Sequence, residues 1–141
     1  MKWALLVLAD NRGISTFPAV YQTAVELNER GFKVSIITGS ECDDEKLKAL
    51  FDEYTVFNKT GPLNEILSFS KHILKKDYRV VICYEPRDAR NSSIASFIKS
   101  GTEFVYYNLE VLNISFQKSF FNRMKMKLYK LLESWYTVNC R

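Results

Sequence analysis

The feature that most constrains the fold is a regular alternation of short apolar segments with amphipathic ones. The apolar segments have the composition of strands and are Lys2–Ala9, Phe32–Thr38, Tyr54–Asn58, Arg79–Tyr84 and Glu103–Asn108. The segments between them have helical spacing and are Phe17–Arg30, Asp43–Phe51, Pro62–Lys76 and Asn91–Ser100. This series predicts an α/β fold: a Rossmann-like, doubly wound parallel sheet of about five strands with flanking helices, in a single domain.

Local signals support this assignment. The segment Lys2–Ala9 is apolar throughout, as is typical of a parallel strand covered on both faces. Gly31 directly follows the first predicted helix, where a left-handed cap is expected. The clearest helix is Pro62–Lys76, and its stripe at helical spacing consists of Leu63, Ile66, Leu67, Ser70, Ile73 and Leu74.

Composition and length exclude several classes of protein. The chain has 141 residues, of which 47% are hydrophobic and 26% charged, a globular balance rather than that of a disordered chain. No apolar run reaches the roughly 18 residues of a membrane span, and no signal-peptide cleavage site follows Met1. The three cysteines lack metal-ligand spacing, so we expect a reduced, cytoplasmic compartment and no metal site.

Several kinds of catalytic site are also disfavoured. His72 is the only histidine, so a Ser-His-Asp triad within this chain is not expected, and the lysines around it predict a solvated helix face. The glycine patterns of dinucleotide and P-loop phosphate sites are absent, and no cofactor is predicted. Receiver-domain and flavin sites would need acids or a phosphate loop that the chain does not supply.

The candidate site lies in the segments that follow three predicted strands. In parallel sheets, ligands bind at the carboxyl ends of the strands, where the strand order reverses. The candidate ligand-binding residues at these positions are Asn11, Arg12, Gly13, Ile14, Glu85, Arg87, Asn108 and Glu110. Two structural alternatives remain open: Asn11 could simply shape a turn, and Glu85 and Arg87 could form a solvated surface pair.

Five stretches of the chain resemble the N-terminal domain of a GT-B glycosyltransferase of the group 1, family 4-like type. They are LLVLADNRGIST, AVYQTAVELNERGFKVSIIT, RVVICYEPRDA, FVYYNLEVL and NRMKMKLYKLLESWY. The resemblance implies a two-domain enzyme whose N-terminal half binds the acceptor and whose C-terminal half binds the nucleotide-sugar. It implies that Gly13 and its neighbours approach the donor diphosphate, and that Glu85, Arg87, Asn108 and Glu110 hydrogen-bond the acceptor.

The same resemblance sets expectations about the whole protein. Residues 1–115 would be the acceptor-side domain, and residues 116–141 a basic amphipathic helix leading to a C-terminal domain beyond Arg141. The chain alone would then be an inactive fragment of a transferase for cell-envelope or capsular polysaccharide. The family often carries an acceptor-side histidine that is missing here, so no catalytic base is assigned. The alternative is a stand-alone Rossmann-like binding or interaction module without catalysis.

The basic charge of the chain is concentrated at its end. From Val111 to Arg141 six basic residues stand against Glu133 alone, a net charge of +5, while the whole chain carries +4. Phe116–Val138 combines the apolar residues Phe121, Met124, Leu128, Leu131 and Trp135 with Lys118, Arg123, Lys125, Lys127 and Lys130. The segment is interpreted either as a packed helix with solvated lysines or as a contact with an anionic membrane surface at the inner face of the membrane. Nucleic-acid binding is disfavoured, since no nucleic-acid module accompanies it.

Overall fold

A computed structural model of the chain describes residues 1–9, 18–107 and 131. Within these residues the strands are β1 (Lys2–Leu8), β2 (Phe32–Thr38), β3 (Glu53–Val56), β4 (Tyr78–Cys83) and β5 (Glu103–Tyr106). The helices are α1 (Pro18–Glu29), α2 (Glu45–Lys48), α3 (Pro62–Lys75) and α4 (Pro86–Ile98). None of the described helices is long and apolar enough to cross a membrane.

All five strands are parallel, in the spatial order β3-β2-β1-β4-β5. The predicted α/β architecture is therefore confirmed. From β1 the chain builds outward to β2 and β3 on one side, then returns across the sheet to place β4 and β5 on the other. The strand order thus reverses between β1 and β4, and the carboxyl ends of these two central strands define the crevice in which such sheets bind ligands.

The sheet has a core on each face, which explains the continuous apolar character of β1. Alternate side chains of a strand point to opposite faces, so β1 contributes Leu5 and Val7 to one core and Leu6 and Leu8 to the other. The first core lies under α3 and α4 and includes Phe69, Ile73, Val81, Cys83, Ala89 and Ala95. The second lies under α1 and α2 and includes Val20, Ala24, Val34, Ile36 and Tyr84.

Element boundaries differ from the sequence prediction chiefly at α4. This helix begins at Pro86 rather than at Asn91, with Glu85 in extended conformation before it. Proline suits the first helical position because its ring presets the backbone angle and no hydrogen bond is lost there. After the C-terminus of α1, Gly31 adopts a φ of 78°, which confirms the predicted left-handed cap.

The stripe predicted on α3 is only half correct. Ile66, Ser70 and Ile73 are buried, as are Glu65 and Phe69, which the stripe omitted. Leu63, Leu67 and Leu74 are instead 77%, 65% and 44% exposed. The buried face of α3 is thus rotated away from the leucines, because Phe69 packs edge-on against Phe57 with ring centroids 4.6 Å apart.

The environment of His72 also differs from the prediction. The side chain is half-buried rather than solvated, and its ring stacks on Tyr78 with centroids 6.4 Å apart. Burial lowers the pKa of His72, because the charged imidazolium loses solvation. His72 is therefore a neutral packing residue at pH 7.

The segment 10–17 and the predicted basic helix lie outside the described residues, except that Leu131 is helical.

The rotated face of α3 can be tested by paired substitutions. Phe69→Ala removes a fully buried ring and should lower the free energy of unfolding by about 3 to 5 kcal/mol. Leu67→Ala, on the exposed flank of the same helix, should change it by less than about 0.5 kcal/mol. Urea denaturation followed by circular dichroism measures both. Equal losses would show that Leu67 packs as deeply as Phe69 and would contradict the rotated face.

Candidate functional site

The candidate site is centred on the crevice between the carboxyl ends of β1 and β4. Ala9 directly follows β1, and Tyr84 and Glu85 follow β4. The backbone N–H of Ala9 donates to Asp88 Oδ1 at 3.2 Å, and the N–H of Tyr84 donates to Val7 O at 3.3 Å. These two hydrogen bonds hold the strand ends and the first turn of α4 together across the point where strand order reverses.

The first turns of α4 are polar and yet buried. Glu85 is 5% exposed, Asp88 is fully buried, and every residue from Asp88 to Ser93 is buried. A helix buried along six consecutive residues is enclosed on all sides. Its N-terminus, which carries the positive end of the helix dipole, lies beside the carboxyl ends of β1 and β4.

A buried carboxylate on α3 anchors this part of α4. Glu65 is fully buried and accepts hydrogen bonds from two arginines of α4. Arg87 donates through Nε to Oε2 at 3.0 Å and through Nη2 to Oε1, and Arg90 donates through Nη2 to Oε2 at 2.5 Å. Asn91 adds a longer contact from Nδ2 at 3.4 Å. The two-point pairing of Arg87 fixes the orientation of the carboxylate as well as its distance.

The charge state of Glu65 follows from these contacts. Burial alone would raise the pKa of the carboxyl, but the hydrogen bonds and positive charges of Arg87 and Arg90 outweigh it and lower the pKa to about 2. Glu65 is therefore ionised at neutral pH and takes no proton there. It is a positioning residue for α4 rather than a general acid or base.

Two of the sequence-predicted site residues lie together at this edge. Glu85 precedes α4, and Arg87 lies in its first turn. They do not form a solvated surface pair, because Glu85 is buried and Arg87 pairs with Glu65. The remaining candidates lie outside the described residues and are Asn11, Arg12, Gly13, Ile14, Asn108, Glu110, Lys118, Arg123, Lys125, Lys127 and Lys130.

The anchoring network of Glu65, Arg90 and Asn91 is not among the residues predicted from the sequence. A signal was present: Glu65 and Phe69 are one helical turn apart and share a face, whereas the leucine stripe drew attention to the neighbouring face. Arg87 and Arg90 have the matching three-residue spacing on α4. An acidic residue on the inward face of one helix and two basic residues on the next helix together indicate a buried ion network of this kind.

A cavity of about 280 Å³ adjoins the crevice between α1 and the ends of β4 and β5. Gln22 and Glu26 of α1 line one side, and Tyr84 and Tyr107 line the other, with their ring centroids 6.0 Å apart. Burial raises the pKa of Tyr84 to about 12, so its phenol stays neutral. An aromatic wall facing an amide and a carboxylate suits a small polar ligand with one apolar face.

A larger cavity of about 600 Å³ lies toward the opposite edge of the sheet. It is lined by Lys2, Arg79 and Glu103, at or near the starts of their strands, and it shares Thr23, Glu26 and Ile82 with the smaller cavity. Ligands of parallel sheets bind at the other edge, so this space is not the candidate site.

Among the described residues, no group of three His, Cys, Asp or Glu side chains could hold a metal ion.

No protein-family model matches the chain, and no curated protein matches it either.

The role of Glu65 predicts a specific pH dependence. Because the folded-state pKa of about 2 lies below the ordinary value of 4.5, Glu65 stabilises the fold above pH 4.5. That stabilisation should disappear as the pH falls from 4.5 toward 2. Glu65→Gln leaves the buried Arg90 and the partly exposed Arg87 without their counter-charge and should cost about 3 kcal/mol at pH 7. The difference from wild type should shrink at low pH in urea denaturation.

The matched control is Glu53→Gln. Glu53 pairs with Lys76 near the surface, where their side chains are 41% and 30% exposed. Exposed pairs contribute little, so this substitution should cost less than about 1 kcal/mol at either pH. If both variants lost the same stability, or if the Glu65→Gln difference did not depend on pH, the buried ion network would not anchor α4.

Proposed function

We propose that the chain is the acceptor-side domain of a glycosyltransferase that transfers a sugar from a nucleotide-sugar donor to an acceptor in cell-envelope or capsular polysaccharide synthesis. The observation that carries the proposal is the polar edge at the β1–β4 crossover. There the N–H of Ala9 donates to Asp88 in the buried start of α4, and Glu85 directly precedes that helix. The resemblance of five sequence stretches to the N-terminal GT-B domain supplies the reaction class.

The described edge has the chemistry that sugar recognition needs. Hydroxyl groups of a sugar require donors and acceptors at fixed positions. Gln22 offers both kinds, and the carboxylates of Glu26, which also pairs with Arg30, and Glu85 can accept. Tyr107 is 53% exposed and presents an aromatic face for the apolar side of a pyranose ring. The loop residues Asn11–Ile14, Asn108 and Glu110 follow β1 and β5 in the sequence and would extend the same edge.

The mechanism proposed is positional and electrostatic. Two domains closing over the acceptor hydroxyl and the sugar-phosphate bond would exclude water and align the reacting atoms. In this chain, ionised Glu65 pairs with Arg87 and so positions α4. The hydrogen bond from Ala9 to Asp88 joins α4 to the end of β1, and Glu85 and its neighbours orient the acceptor. Gly13 and the N–H groups around it would approach the donor diphosphate. No residue of the chain is assigned as catalytic base.

A membrane partner belongs to the same proposal. The basic residues Lys118, Arg123, Lys125, Lys127 and Lys130 would contact an anionic surface at the inner face of the membrane, where a lipid-linked acceptor is presented. The other partner is the enzyme's own C-terminal domain, which would carry the nucleotide-sugar site. The protein would work in the cytoplasm.

A stand-alone interaction module is the second candidate. It is favoured by an apolar row on α4, in which Ile94, Phe97 and Ile98 are 43%, 75% and 58% exposed. Contiguous exposed apolar residues are typical of protein contact surfaces. Under this alternative the crevice would bind no sugar.

Backbone amide NMR on the 141-residue chain distinguishes the two candidates. With a panel of nucleotide-sugars and disaccharides, chemical shifts should change at Ala9, Glu85 and Tyr107. Glu85→Gln should weaken the binding of the best saccharide about fivefold, through loss of one charged hydrogen bond. Glu103→Gln, an exposed carboxylate at the start of β5, should have no effect. No shift changes with any saccharide, or changes centred on Arg79 and Glu103, would contradict the proposal.

A further inference from the structure

An exposed leucine row runs along one flank of α3. Leu63, Leu67 and Leu74 lie four and seven residues apart, so their directions around the helix axis fall within about 40°. They are 77%, 65% and 44% exposed, and the row extends about 16 Å along the helix. Glu65 points to a different side, toward the arginines of α4. The leucine row therefore belongs neither to the core nor to the α3–α4 contact.

The exposed charges on the same helix are all positive. Lys71 and Lys75 are exposed and lie one turn and two turns beyond Leu67, beside the leucine row. Glu65 is the only acidic residue in α3, and it is fully buried. Lowering of the pKa of His72 by burial keeps this side chain neutral. The flank thus combines three exposed leucines with two lysines and no exposed carboxylate.

We propose that this leucine–lysine face of α3 (Leu63, Leu67, Lys71, Leu74 and Lys75) binds an anionic lipid surface. Leucines in a row can enter the acyl boundary while the adjacent lysines reach the headgroup phosphates, the arrangement of an interfacial helix. Each lysine near such a surface contributes attraction that a neutral surface lacks. A second copy of the chain fits less well, because this face offers no exposed carboxylate to pair with the lysines of the copy.

A separate part of the chain has the same chemistry. Leu131 is helical and 66% exposed, and it follows Lys127 and Lys130 in the sequence. The exposed apolar row of α4 differs. The basic residues within α4, Arg87 and Arg90, both pair with Glu65. Lys99, just after α4, donates to the backbone oxygens of Ile73 and Lys76. In the part of the chain that the structure describes, the basic groups on α4 and just after it are all hydrogen-bonded, so the α4 row makes a suitable control surface.

This inference goes beyond sugar transfer and does not depend on it, since lipid binding is measured without any saccharide. The test is flotation of the 141-residue chain with vesicles of phosphatidylcholine alone, or of equal parts phosphatidylcholine and phosphatidylglycerol. Wild type should float with the anionic vesicles and stay behind with the neutral ones. The triple variant Leu63→Gln, Leu67→Gln, Leu74→Gln and the double variant Lys71→Gln, Lys75→Gln should each bind about tenfold more weakly.

Matched controls separate this face from general stickiness and net charge. Ile94→Gln with Ile98→Gln removes exposed apolar residues of α4, and Lys2→Gln with Lys46→Gln removes two exposed lysines elsewhere. Both double variants should bind the vesicles within about twofold of wild type, apart from a uniform effect of net charge. All substituted positions are exposed, so circular dichroism melting curves should stay close to that of wild type.

Four results would overturn the proposal. The first is no binding to anionic vesicles, and the second is equal binding to neutral ones. The third is that both α3 variants bind anionic vesicles as well as wild type does, while the double variant Lys125→Gln, Lys127→Gln loses binding. That result would place the lipid contact in the C-terminal segment alone. The fourth is a dimer in sedimentation that the leucine variant abolishes while vesicle binding persists, which would make a second copy the occupant. The saccharide shift changes at Glu85 should persist in every α3 variant, so the two proposals fail separately.

Discussion

The buried carboxylate of Glu65 is the contact on which the geometry of the candidate site depends. Glu65 of α3 pairs with Arg87 and Arg90 of α4. Because its side chain is fully buried, water does not compete with the arginines for the carboxylate. Burying the charges of Glu65 and Arg90 is costly unless they are paired, and this pairing requires α3 and α4 to lie close together at these residues. The pairing therefore fastens the first two turns of α4, which follow directly on the end of β4, to α3.

From this anchor the order of the site follows along the chain. Asp88 lies one residue beyond Arg87 and accepts the N–H of Ala9, which ties the end of β1 to α4. The two central strands therefore end at a crevice whose walls are connected by hydrogen bonds rather than by loop contacts alone. A rigid edge of this kind can hold a polar ligand in one orientation, which is what a transfer reaction requires of its acceptor.

Hydrophobic pattern was enough to predict the sheet but not the anchor. The apolar run of β1 and the glycine after α1 each have one simple physical cause, burial on both faces and a positive φ, and both were predicted. The start of α4 was misplaced because Asp88, Arg90 and Asn91 are buried by pairing with other polar groups, which hydrophobic periodicity does not register. The prediction that the leucines of α3 face the core is wrong because periodicity indicates an apolar stripe but not whether another element contacts it. The roles of Asn11, Asn108 and Glu110 remain sequence predictions.

The proposed transferase function is tested most directly by reading the coding sequence of the native gene past the codon for Arg141. An acceptor-side domain cannot transfer a sugar without a donor-side partner. The proposed function therefore predicts that translation continues for roughly 150 to 200 residues into a second α/β domain, a typical domain size. That domain should carry a pair of glutamates with an upstream basic residue. A stop codon directly after Arg141 would contradict the proposed function and leave a stand-alone binding module.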